Sequence, residues 1–402
     1  TNRNGIQDES ELGINGVQVH LTLIDSNGAT VTESPVMDVY GKPVGSQLTK
    51  DNEATKINGY YTFSDLPALL PGQLYRVTVD SDSESSKAAL DNLIPTTTGA
   101  DGSTKANDSS EGFADSITDL IEDGAKDPTL DFGYVEKAVS VGNYVWKDTN
   151  RNGKQDDGNT GINNVTVKIT GPNGPVNDVF GDPVGEQRTG TKNGKAGYYE
   201  FNNLPALPAG QHYTISVVED VTTKEALTNL IPTKPGQGAR NEDSSTGSAE
   251  STDLTEDKAS DLTLDFGYIE KTVKVGDYVW KDMDRNGKQD DGNTGINNVT
   301  VKITGPDGPV NDVYGHAVGE QQTETKDGKA GYYEFNNLPA LPAGDHYTVS
   351  IVSNTATKAA LTNLIPSTPG KGGRDEDSST GSAESTDLTE NKAEDMTLDF
   401  GY

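Results

Sequence analysis

The segment Leu-Asp-Phe-Gly-Tyr occurs three times in this chain at a constant spacing. Its copies lie at 130–134, 264–268 and 398–402, so it recurs every 134 residues. Residues 138–268 align with 272–402 without a gap. This period exceeds the ~20–50 residues of solenoid repeats, and each copy is long enough to bury its own core. The sequence therefore predicts three tandem domains, at 1–134, 135–268 and 269–402.

The first copy differs from the others at its start. Copies two and three open with Val-Gly-Asn-Tyr-Val-Trp and Val-Gly-Asp-Tyr-Val-Trp, at 141–146 and 275–280, whereas Thr1 aligns with Thr149. We therefore expect the first copy to lack its opening strand within this chain. Only Val-Glu-Lys or Ile-Glu-Lys separates neighbouring copies. Because these linkers contain no Gly, Ser or Pro, we expect the last strand of one domain to run almost directly into the next domain.

Within each copy the residue pattern is mostly that of β-strands. Apolar and polar residues alternate at 165–169, and runs rich in aromatic or β-branched residues lie at 197–201 and 213–217. Gly-Pro and Asn-Gly pairs separate these runs, and one short helix is expected from Thr223 to Leu230. The prediction is an all-β chain of three tandem β-sandwiches.

The charge balance excludes several classes of protein. The chain has 63 acidic and 32 basic side chains, a net charge of -31 and no cysteine. Disulfides and thiolate metal sites are excluded, and the negative charge argues against nucleic acid as a partner. Because no apolar run approaches ~18 residues, membrane insertion is not expected. Only 31% of the residues are hydrophobic, so we expect a divalent cation to offset the carboxylate repulsion.

An acidic loop follows the tryptophan in copies two and three, and copy one enters it at the second position. Oxygen-bearing side chains occupy positions 1, 3, 5 and 9, with glycine at 6, as in EF-hand calcium loops, where position 7 supplies a carbonyl. Its occurrence in three copies favours calcium over a simple turn with solvated acids. The predicted ligands are Asn2, Asn4, Ile6 and Asp8; Asp148, Asn150, Asn152, Lys154 and Asp156; and Asp282, Asp284, Asn286, Lys288 and Asp290.

Position 12 of the loop departs from the EF-hand pattern. Copy one has Glu11 there, but copies two and three have Asn159 and Asn293, which cannot chelate calcium as a bidentate glutamate does. Asp157 and Asp291, at position 10, are the candidates to replace that ligand, directly or through water. The short linker precedes the opening strand, so a cation in the loop is expected to restrict bending near a domain junction.

A second acidic stretch precedes the last strand of each copy. It contains Asp108, Asp115 and Asp119 in copy one, Asp243 and Asp253 in copy two, and Asp377 and Asp387 in copy three. This stretch is either a solvated acidic loop or a second calcium site. In the second case Asp243, Asp253 and Asp265 are the first candidates in copy two, and no spacing rule chooses among them.

The motif order from Val-Gly-Asn-Tyr-Val-Trp-Lys-Asp-Thr-Asn-Arg-Asn-Gly-Lys-Gln-Asp to Leu-Asp-Phe-Gly-Tyr resembles the B domains of serine-aspartate repeat surface adhesins. The wider group includes the B-type domains of collagen adhesins. The resemblance covers nearly the whole chain and implies immunoglobulin-like, calcium-binding β-sandwiches between a ligand-binding head and a wall-anchored stalk. It implies calcium ligands at Asp148, Asn150, Asn152 and Asp156. The stretch at 176–187 looks longer than the usual family loop.

Some relatives of this fold carry an internal isopeptide bond between a lysine and an Asn or Asp. We do not expect one here, because no lysine in a predicted core strand recurs in all three copies. Lys274, for example, is replaced by Ser140 in copy two.

Three classes of function compete. The first is a calcium-stiffened, monomeric spacer on the bacterial surface, with neighbouring domains of the same adhesin as its partners. The second is an adhesive module that binds a host extracellular protein, a glycan or another copy of itself through Tyr198, Tyr199, Tyr332 or Tyr333, although alternation places one tyrosine of each pair in the core. The third, an enzyme, is disfavoured because no nucleophile elbow, phosphate loop or histidine metal motif occurs.

Overall fold

The computed structural model describes residues 2–8, 11–31, 35–117 and 120–402. We refer to residues 1–134, 135–268 and 269–402 as repeats 1, 2 and 3. Strands of repeat 1 are β1 (Gln18–Asp25), β2 (Val36–Met37), β3 (Pro43–Val44), β4 (Ser46–Leu48), β5 (Gln73–Val79), β6 (Leu93–Pro95), β7 (Phe113–Asp115) and β8 (Tyr134–Glu136), with helix α1 (Glu84–Ala89).

Repeat 2 contains the same kinds of element and a long opening strand. Its strands are β9 (Ala138–Lys147), β10 (Thr166–Thr170), β11 (Val176–Asn177), β12 (Pro183–Val184), β13 (Glu186–Arg188), β14 (Gly190–Lys192), β15 (Lys195–Pro205), β16 (Thr214–Val217), β17 (Leu230–Pro232), β18 (Ser248–Glu250), β19 (Ser260–Asp261) and β20 (Phe266–Glu270), with helix α2 (Val221–Ala226).

Repeat 3 follows the pattern of repeat 2. Its strands are β21 (Thr272–Trp280), β22 (Thr300–Thr304), β23 (Gln321–Gln322), β24 (Glu324–Lys326), β25 (Lys329–Pro339), β26 (Thr348–Ile351), β27 (Ser382–Glu384), β28 (Glu394–Asp395) and β29 (Phe400–Gly401), with helix α3 (Thr355–Ala360). None of the described helices is long and apolar enough to cross a membrane.

Two sheets face each other in repeats 2 and 3. In repeat 2 one sheet has the order β14-β15-β9-β20-β17 and the other β13-β10-β16-β18. Both sheets contribute to one hydrophobic core, in which Val141, Val167, Phe201, Ile215 and Phe266 are at most 1% exposed. Repeats 1 and 3 each have a hydrophobic cluster of their own. The chain is thus a tandem array of β-sandwich-like units, as the sequence predicted.

The opening strand β9 determines where the acidic loop lies. β9 pairs antiparallel with β15 and parallel with β20, where Val145 is opposite Phe266 and Lys147 is opposite Tyr268. Because β9 and β20 run in the same direction, the end of the opening strand lies beside the end of the last strand. The loop that follows β9 therefore lies at the junction with the next repeat.

The linkers are as short as predicted, but the helix is displaced. Only Lys137 separates β8 from β9, and only Lys271 separates β20 from β21. The helix predicted from Thr223 to Leu230 instead spans Val221–Ala226. It begins earlier because the Asp220 side chain accepts a hydrogen bond from the Thr223 backbone N–H. It ends earlier because Leu230 belongs to β17.

Candidate metal centre

The first carboxylate of the loop is fixed at the edge of the core. Asp148 is 1% exposed, and its backbone N–H donates to the Tyr268 carbonyl at 2.7 Å. Its carboxylate accepts hydrogen bonds from the backbone N–H groups of Asn152 at 3.1 Å and Gly153 at 2.8 Å, and from the Thr233 hydroxyl. Because these donors satisfy a buried charge, the start of the loop is held in one position.

The side chains at positions 3, 5 and 9 converge in repeat 2. Asp156 accepts hydrogen bonds from the Nδ2 groups of Asn150 and Asn152, both at 2.9 Å. These bonds, the one from Asn152 first, lower the pKa of Asp156 below its ordinary value. The predicted ligands Asn150, Asn152 and Asp156 therefore lie next to one another in the loop, with the two amide Nδ2 groups turned towards the carboxylate of Asp156.

Repeats 1 and 3 close the loop in the same way. Asp8 accepts from Asn2 at 2.6 Å and Asn4 at 3.1 Å, and the Glu11 carboxylate accepts from the Asp8 backbone N–H at 3.4 Å. In repeat 3, Asp290 accepts from Asn286 at 3.1 Å. The fold of the loop is therefore common to all three repeats.

Glycine at position 6 is required by close contact as well as by backbone conformation. Gly153 has a φ of 79°, and a side-chain Cβ at this position would lie 2.5 Å from the Lys234 carbonyl oxygen. Gly5 and Gly287 face the same restriction, with a carbonyl oxygen at 2.4 Å in each case. The sharp turn that calcium loops need is therefore built into each repeat.

Position 10 contributes to the cluster of carboxylates in repeat 3. Carboxylate oxygens of Asp282, Asp284 and Asp291 lie within 4.8 Å of one another, which is close enough to hold a metal ion. Asp291 also accepts from the Met283 backbone N–H at 2.6 Å, and its counterpart Asp157 accepts from Thr149 at 2.9 Å. A set made only of carboxylate and amide oxygens fits a hard cation such as Ca²⁺.

Position 12 has a different task in repeats 2 and 3. Asn159 donates to the Gly194 carbonyl at 3.1 Å and accepts from the Ala196 backbone N–H at 3.3 Å. Asn293 makes the same two bonds, to Gly328 and from Ala330. The asparagine therefore fastens the loop to the neighbouring β-hairpin, which explains its presence where an EF-hand has glutamate.

The second acidic stretch meets the loop through its backbone. Position 7 forms antiparallel bridges in repeats 1 and 3, between Ile6 and Asp108 and between Lys288 and Asp377. In repeat 2 the residue after Lys154, Gln155, donates its backbone N–H to the Glu242 carbonyl at 2.7 Å. The loop and the acidic stretch are thus one unit, a connection that the sequence did not indicate.

The other acids of that stretch are separated from one another. Asp253 and Asp387 accept hydrogen bonds from the turn amides of Gly210 and Gly344, at 3.0 and 3.1 Å. Asp115 forms an ion pair with Arg76 at 2.6 Å, and Asp119 lies outside the described residues. These contacts give each of the three described acids a hydrogen-bond or ion-pair partner in the protein.

Asp243 and Asp265 lie deeper in repeat 2. Burial raises the pKa of Asp243, which Arg240 partly offsets. Asp265 is 1% exposed and accepts from Asn143 at 3.1 Å and the Tyr144 backbone N–H at 3.3 Å. Its place between core strands makes it a core residue and not an accessible ligand.

Arginine at position 4 joins the loop to the domain junction. Arg151, with a φ of 61°, donates from Nη1 to the carbonyl of Glu270 at 2.8 Å, and Arg3 makes the equivalent bond to Glu136. Lys147 forms an ion pair with the Glu270 carboxylate at 2.6 Å. The loop therefore contacts the linker that follows its own repeat, whereas the order of the sequence places it after the linker that precedes the opening strand. The recurrence of arginine at 3, 151 and 285 was the available signal.

The other sequence candidates are parts of the scaffold. Tyr199 and Tyr333 are each 2% exposed, and their hydroxyls donate to the carbonyls of Leu264 and Leu398. Tyr332 is 9% exposed. Lys274 forms an ion pair with Glu394 of repeat 3 at 2.6 Å.

Known proteins share this organisation. The family model of the SdrD B-like domain matches residues 139–268 and 273–402. Serine-aspartate repeat-containing protein D of Staphylococcus aureus is 34% identical over 310 residues, 75% of this chain and 18% of that protein. Serine-aspartate repeat-containing protein F of Staphylococcus epidermidis is 32% identical over 343 residues, 84% of this chain and 17% of that protein.

Solved structures to which the chain is similar include the Bacillus anthracis TIE protein, at 12% identity and a TM-score of 0.48, covering 98% of this chain and 49% of that one. The major pilin subunit BcpA of Bacillus cereus matches at 10% identity and a TM-score of 0.28, with 98% and 97% covered. The chain spans less than a fifth of the two serine-aspartate repeat proteins. By the match of two full repeats to the family model, the chain belongs to the family of SdrD B-like domains.

Proposed function

We propose that this chain is a calcium-stiffened stalk segment of a cell-wall-anchored bacterial surface adhesin, and that it holds a ligand-binding head away from the cell. The observation that carries this proposal is the hydrogen bond from Arg151, inside the acidic loop, to the Glu270 carbonyl in the linker. A cation that fixes the loop also fixes this arginine. Calcium binding is thereby coupled to the angle between neighbouring repeats.

The linker is tied to the repeats on both of its sides. Lys271 donates its backbone N–H to the Asn229 carbonyl at 2.8 Å, and its Nζ donates to the Thr389 carbonyl at 3.1 Å. Asn229 also donates to the Ala340 carbonyl in repeat 3 at 3.0 Å. With one residue between β20 and β21, these bonds leave few backbone torsions free to bend. A stiff junction is what a spacer needs.

The location follows from the family and remains part of the proposal. The two staphylococcal relatives are serine-aspartate repeat-containing proteins several times longer than this chain. We infer an extracellular position at the cell surface, with the head and the wall anchor in other parts of a longer protein. Three copies of one loop, none with a recognisable catalytic motif, favour a structural role over an enzymatic one.

Thermal unfolding tests the calcium dependence. The chain is melted in EDTA, with added calcium, and with magnesium as control. At a free calcium concentration a hundredfold above Kd, binding to the native state adds about 2.7 kcal/mol to the free energy of unfolding. We expect a calcium-specific rise in melting temperature that Asp282→Ala reduces for repeat 3. An unchanged melting temperature would refute the proposal.

A second function, direct adhesion to a host protein, a glycan or another copy of the chain, is favoured by one observation. Each repeat presents an exposed aromatic ring at the same turn, Tyr40, Phe180 and Tyr314, with 75%, 46% and 43% of the residue exposed. Aromatic side chains are enriched among the residues that dominate binding. The triple variant Tyr40→Ala, Phe180→Ala, Tyr314→Ala should then abolish aggregation of beads coated with the chain, or their binding to immobilised host matrix proteins. Val221→Ala, at an exposed apolar residue outside the loop, is the control.

A further inference from the structure

Two buried carboxyl groups lie side by side in repeat 3. Asp277 of β21 is 7% exposed, and Asp399, next to β29, is fully buried. β21 and β29 pair in parallel, with Val279 opposite Phe400, so Asp277 and Asp399 occupy the positions at which Asn143 and Asp265 are joined by a hydrogen bond in repeat 2. Neither carboxylate oxygen of Asp399 has a donor partner among the described residues. Two ionised carboxylates in this position would repel each other and leave a buried charge unsatisfied.

Repeat 2 shows what this position accommodates. Asn143 takes the place of Asp277, and its Nδ2 donates to Asp265, the counterpart of Asp399, at 3.1 Å. The site therefore fits a hydrogen bond between the two side chains. In repeat 3 the same bond requires a proton on one of the two carboxyl groups.

A metal ion fits the position less well than a proton. Among the described residues, the only cluster of three or more possible metal ligands is that of Asp282, Asp284 and Asp291 in the loop, so Asp277 and Asp399 have no third acidic or histidine ligand. Calcium usually takes six to eight oxygen ligands. Two adjacent buried carboxyl groups offer too few oxygens for calcium, but they can share one proton in a hydrogen bond.

The surrounding charges favour retention of a proton. Asp395, Asp375 and Asp377 face the pair with negative charge, and Lys329 is the cation near Asp277. Asp395 is itself paired with Arg374 at 3.0 Å. Burial, followed by the charge of Asp277, raises the pKa of Asp399. Burial likewise raises the pKa of Asp277.

We propose that Asp277 and Asp399 share one proton in folded repeat 3 and that this proton makes the repeat less stable as the pH rises. Unfolding exposes both groups, which then ionise as ordinary aspartates with a pKa of about 3.9. The folded state thus holds more protons than the unfolded state, so stability falls with increasing pH. The free energy of unfolding is not reduced by the pair below about pH 4, where the unfolded aspartates are also protonated. It falls as the pH rises above about 4 and stops falling once the folded pair has lost its proton.

Repeat 2 sets the reference for this decline. Burial raises the pKa of Asp265 to about 8 despite its hydrogen bonds from Tyr144 and Asn143. A second carboxyl group in place of the Asn143 amide disfavours ionisation further, so the pair in repeat 3 keeps its proton to a higher pH than Asp265 does in repeat 2. The two repeats are therefore expected to differ most on the alkaline side.

Denaturant unfolding of the full chain tests the proposal. The chain has two tryptophans, so Trp146→Phe leaves Trp280 as a fluorescent reporter of repeat 3. Between pH 8 and 9 we expect the unfolding equilibrium constant of repeat 3 to rise about fivefold more than that of the same chain with Asp277→Asn, because the variant has already released part of its proton at pH 8. Equal pH dependence of the two chains would overturn the proposal.

The reciprocal change keeps the test decisive if Asp277→Asn fails to fold. The substitution Asn143→Asp is made in a chain with Trp280→Phe, so that Trp146 reports the unfolding of repeat 2. This variant should lose more stability between pH 8 and 9 than the same chain with Asn143. An unchanged pH dependence of repeat 2 in this variant would contradict the proposal. Equilibrium dialysis measures the number of calcium ions that each chain binds. If Asp277→Asn binds one calcium fewer and its pH dependence is unchanged, the pair holds a cation and the proposal is wrong.

Discussion

Repeats 2 and 3 share a fold and a loop geometry, yet they differ in how many carboxylates they concentrate at two equivalent places. Asp284 replaces Asn150 in the acidic loop, and Asp277 replaces Asn143 in the core. Each change exchanges an amide for a carboxylate of nearly the same shape. The backbone accommodates both exchanges. Where an asparagine places an amide N–H against the neighbouring oxygen, an aspartate can place a shared proton or a bound cation. Near-identical repeats can therefore differ in their dependence on cations and protons.

The largest expected effect is the loss of the buried loop carboxylate. Asp148→Ala leaves the Gly153 backbone N–H and the Thr233 hydroxyl without their acceptor and the Asn152 backbone N–H with only the Asn150 side chain. At roughly 1–3 kcal/mol for each unsatisfied buried group, and with water reaching part of the loop, we expect repeat 2 to lose about 3 kcal/mol in EDTA. Urea unfolding followed by Trp146 fluorescence measures this.

Two variants accompany that measurement. Asp282→Ala should weaken repeat 3 by less, because Asp282 is 7% exposed against 1% for Asp148 and water reaches its donors more readily. Asp307→Ala, at an exposed position, should have no effect. A loss below about 1 kcal/mol in Asp148→Ala would mean that the loop is not held by its first carboxylate.

The next effect concerns calcium affinity and converts one repeat into the other. Asn150→Asp gives the loop of repeat 2 the carboxylate that repeat 3 has at Asp284. One additional unit charge about 4 Å from a divalent cation in a solvated site contributes about 1–2 kcal/mol, or roughly tenfold in Kd. Isothermal titration calorimetry should show tighter binding to one site, and Asp284→Asn should weaken one site by a similar factor. Affinities unchanged in both variants would place the cation elsewhere.

Position 12 separates a structural role from a ligand role. Asn159→Ala removes the bonds to the hairpin at Gly194 and Ala196, so we expect a loss of about 1 kcal/mol in stability in EDTA. Calcium affinity should change little, because the asparagine faces the hairpin. A large loss of affinity measured by the same titration would show that Asn159 is a ligand after all, and Asn293→Ala is the matched variant in repeat 3.

The smallest effect is expected on the acid side, at the ion pair between the half-exposed Arg374 and the buried Asp395. Burial alone would raise the pKa of Asp395. Hydrogen bonds from Thr397, Thr386 and Arg374 outweigh burial, so the pKa of Asp395 is lowered. A lowered pKa stabilises the fold above the unfolded value of about 3.9, and this contribution is lost as the pH falls through the folded value. Because Arg374 is half exposed, Arg374→Ala should cost less than about 1 kcal/mol at pH 7 and progressively less towards pH 3. Acid titration of unfolding tests this, with Arg240→Ala as the equivalent in repeat 2.

Repetition and local chemistry made much of this structure predictable. The spacing of Leu-Asp-Phe-Gly-Tyr gave the period, alternation gave the strands, and the positions of Asp148, Asn150, Asn152, Gly153 and Asp156 gave the loop. These features depend on residues near one another in sequence. The side-by-side, parallel arrangement of β9 and β20 could not be read in that way, so the sequence did not show that the loop contacts the linker after its own repeat.

Other features depended on contacts between distant segments. Arg151 meets Glu270 across 119 residues, and Asn143 meets Asp265 across 122. No periodicity reports such pairs. The role of Asn159 was equally hidden, because its partners at Gly194 and Ala196 belong to a hairpin that local patterns do not bring to the loop. Comparison of equivalent positions in the repeats, Arg3 with Arg151 and Asn143 with Asp277, was the signal that remained.

The most direct test of the account is a distance measurement across the junction of repeats 2 and 3. The chain has no cysteine, so Glu186→Cys and Glu320→Cys, both at exposed positions, allow two spin labels to be attached uniquely. Pulsed electron paramagnetic resonance should give a narrow distance distribution in calcium and a broad one in EDTA, and Arg151→Ala should broaden it even in calcium. A width that is the same with and without calcium would contradict the claim that the loop stiffens the array.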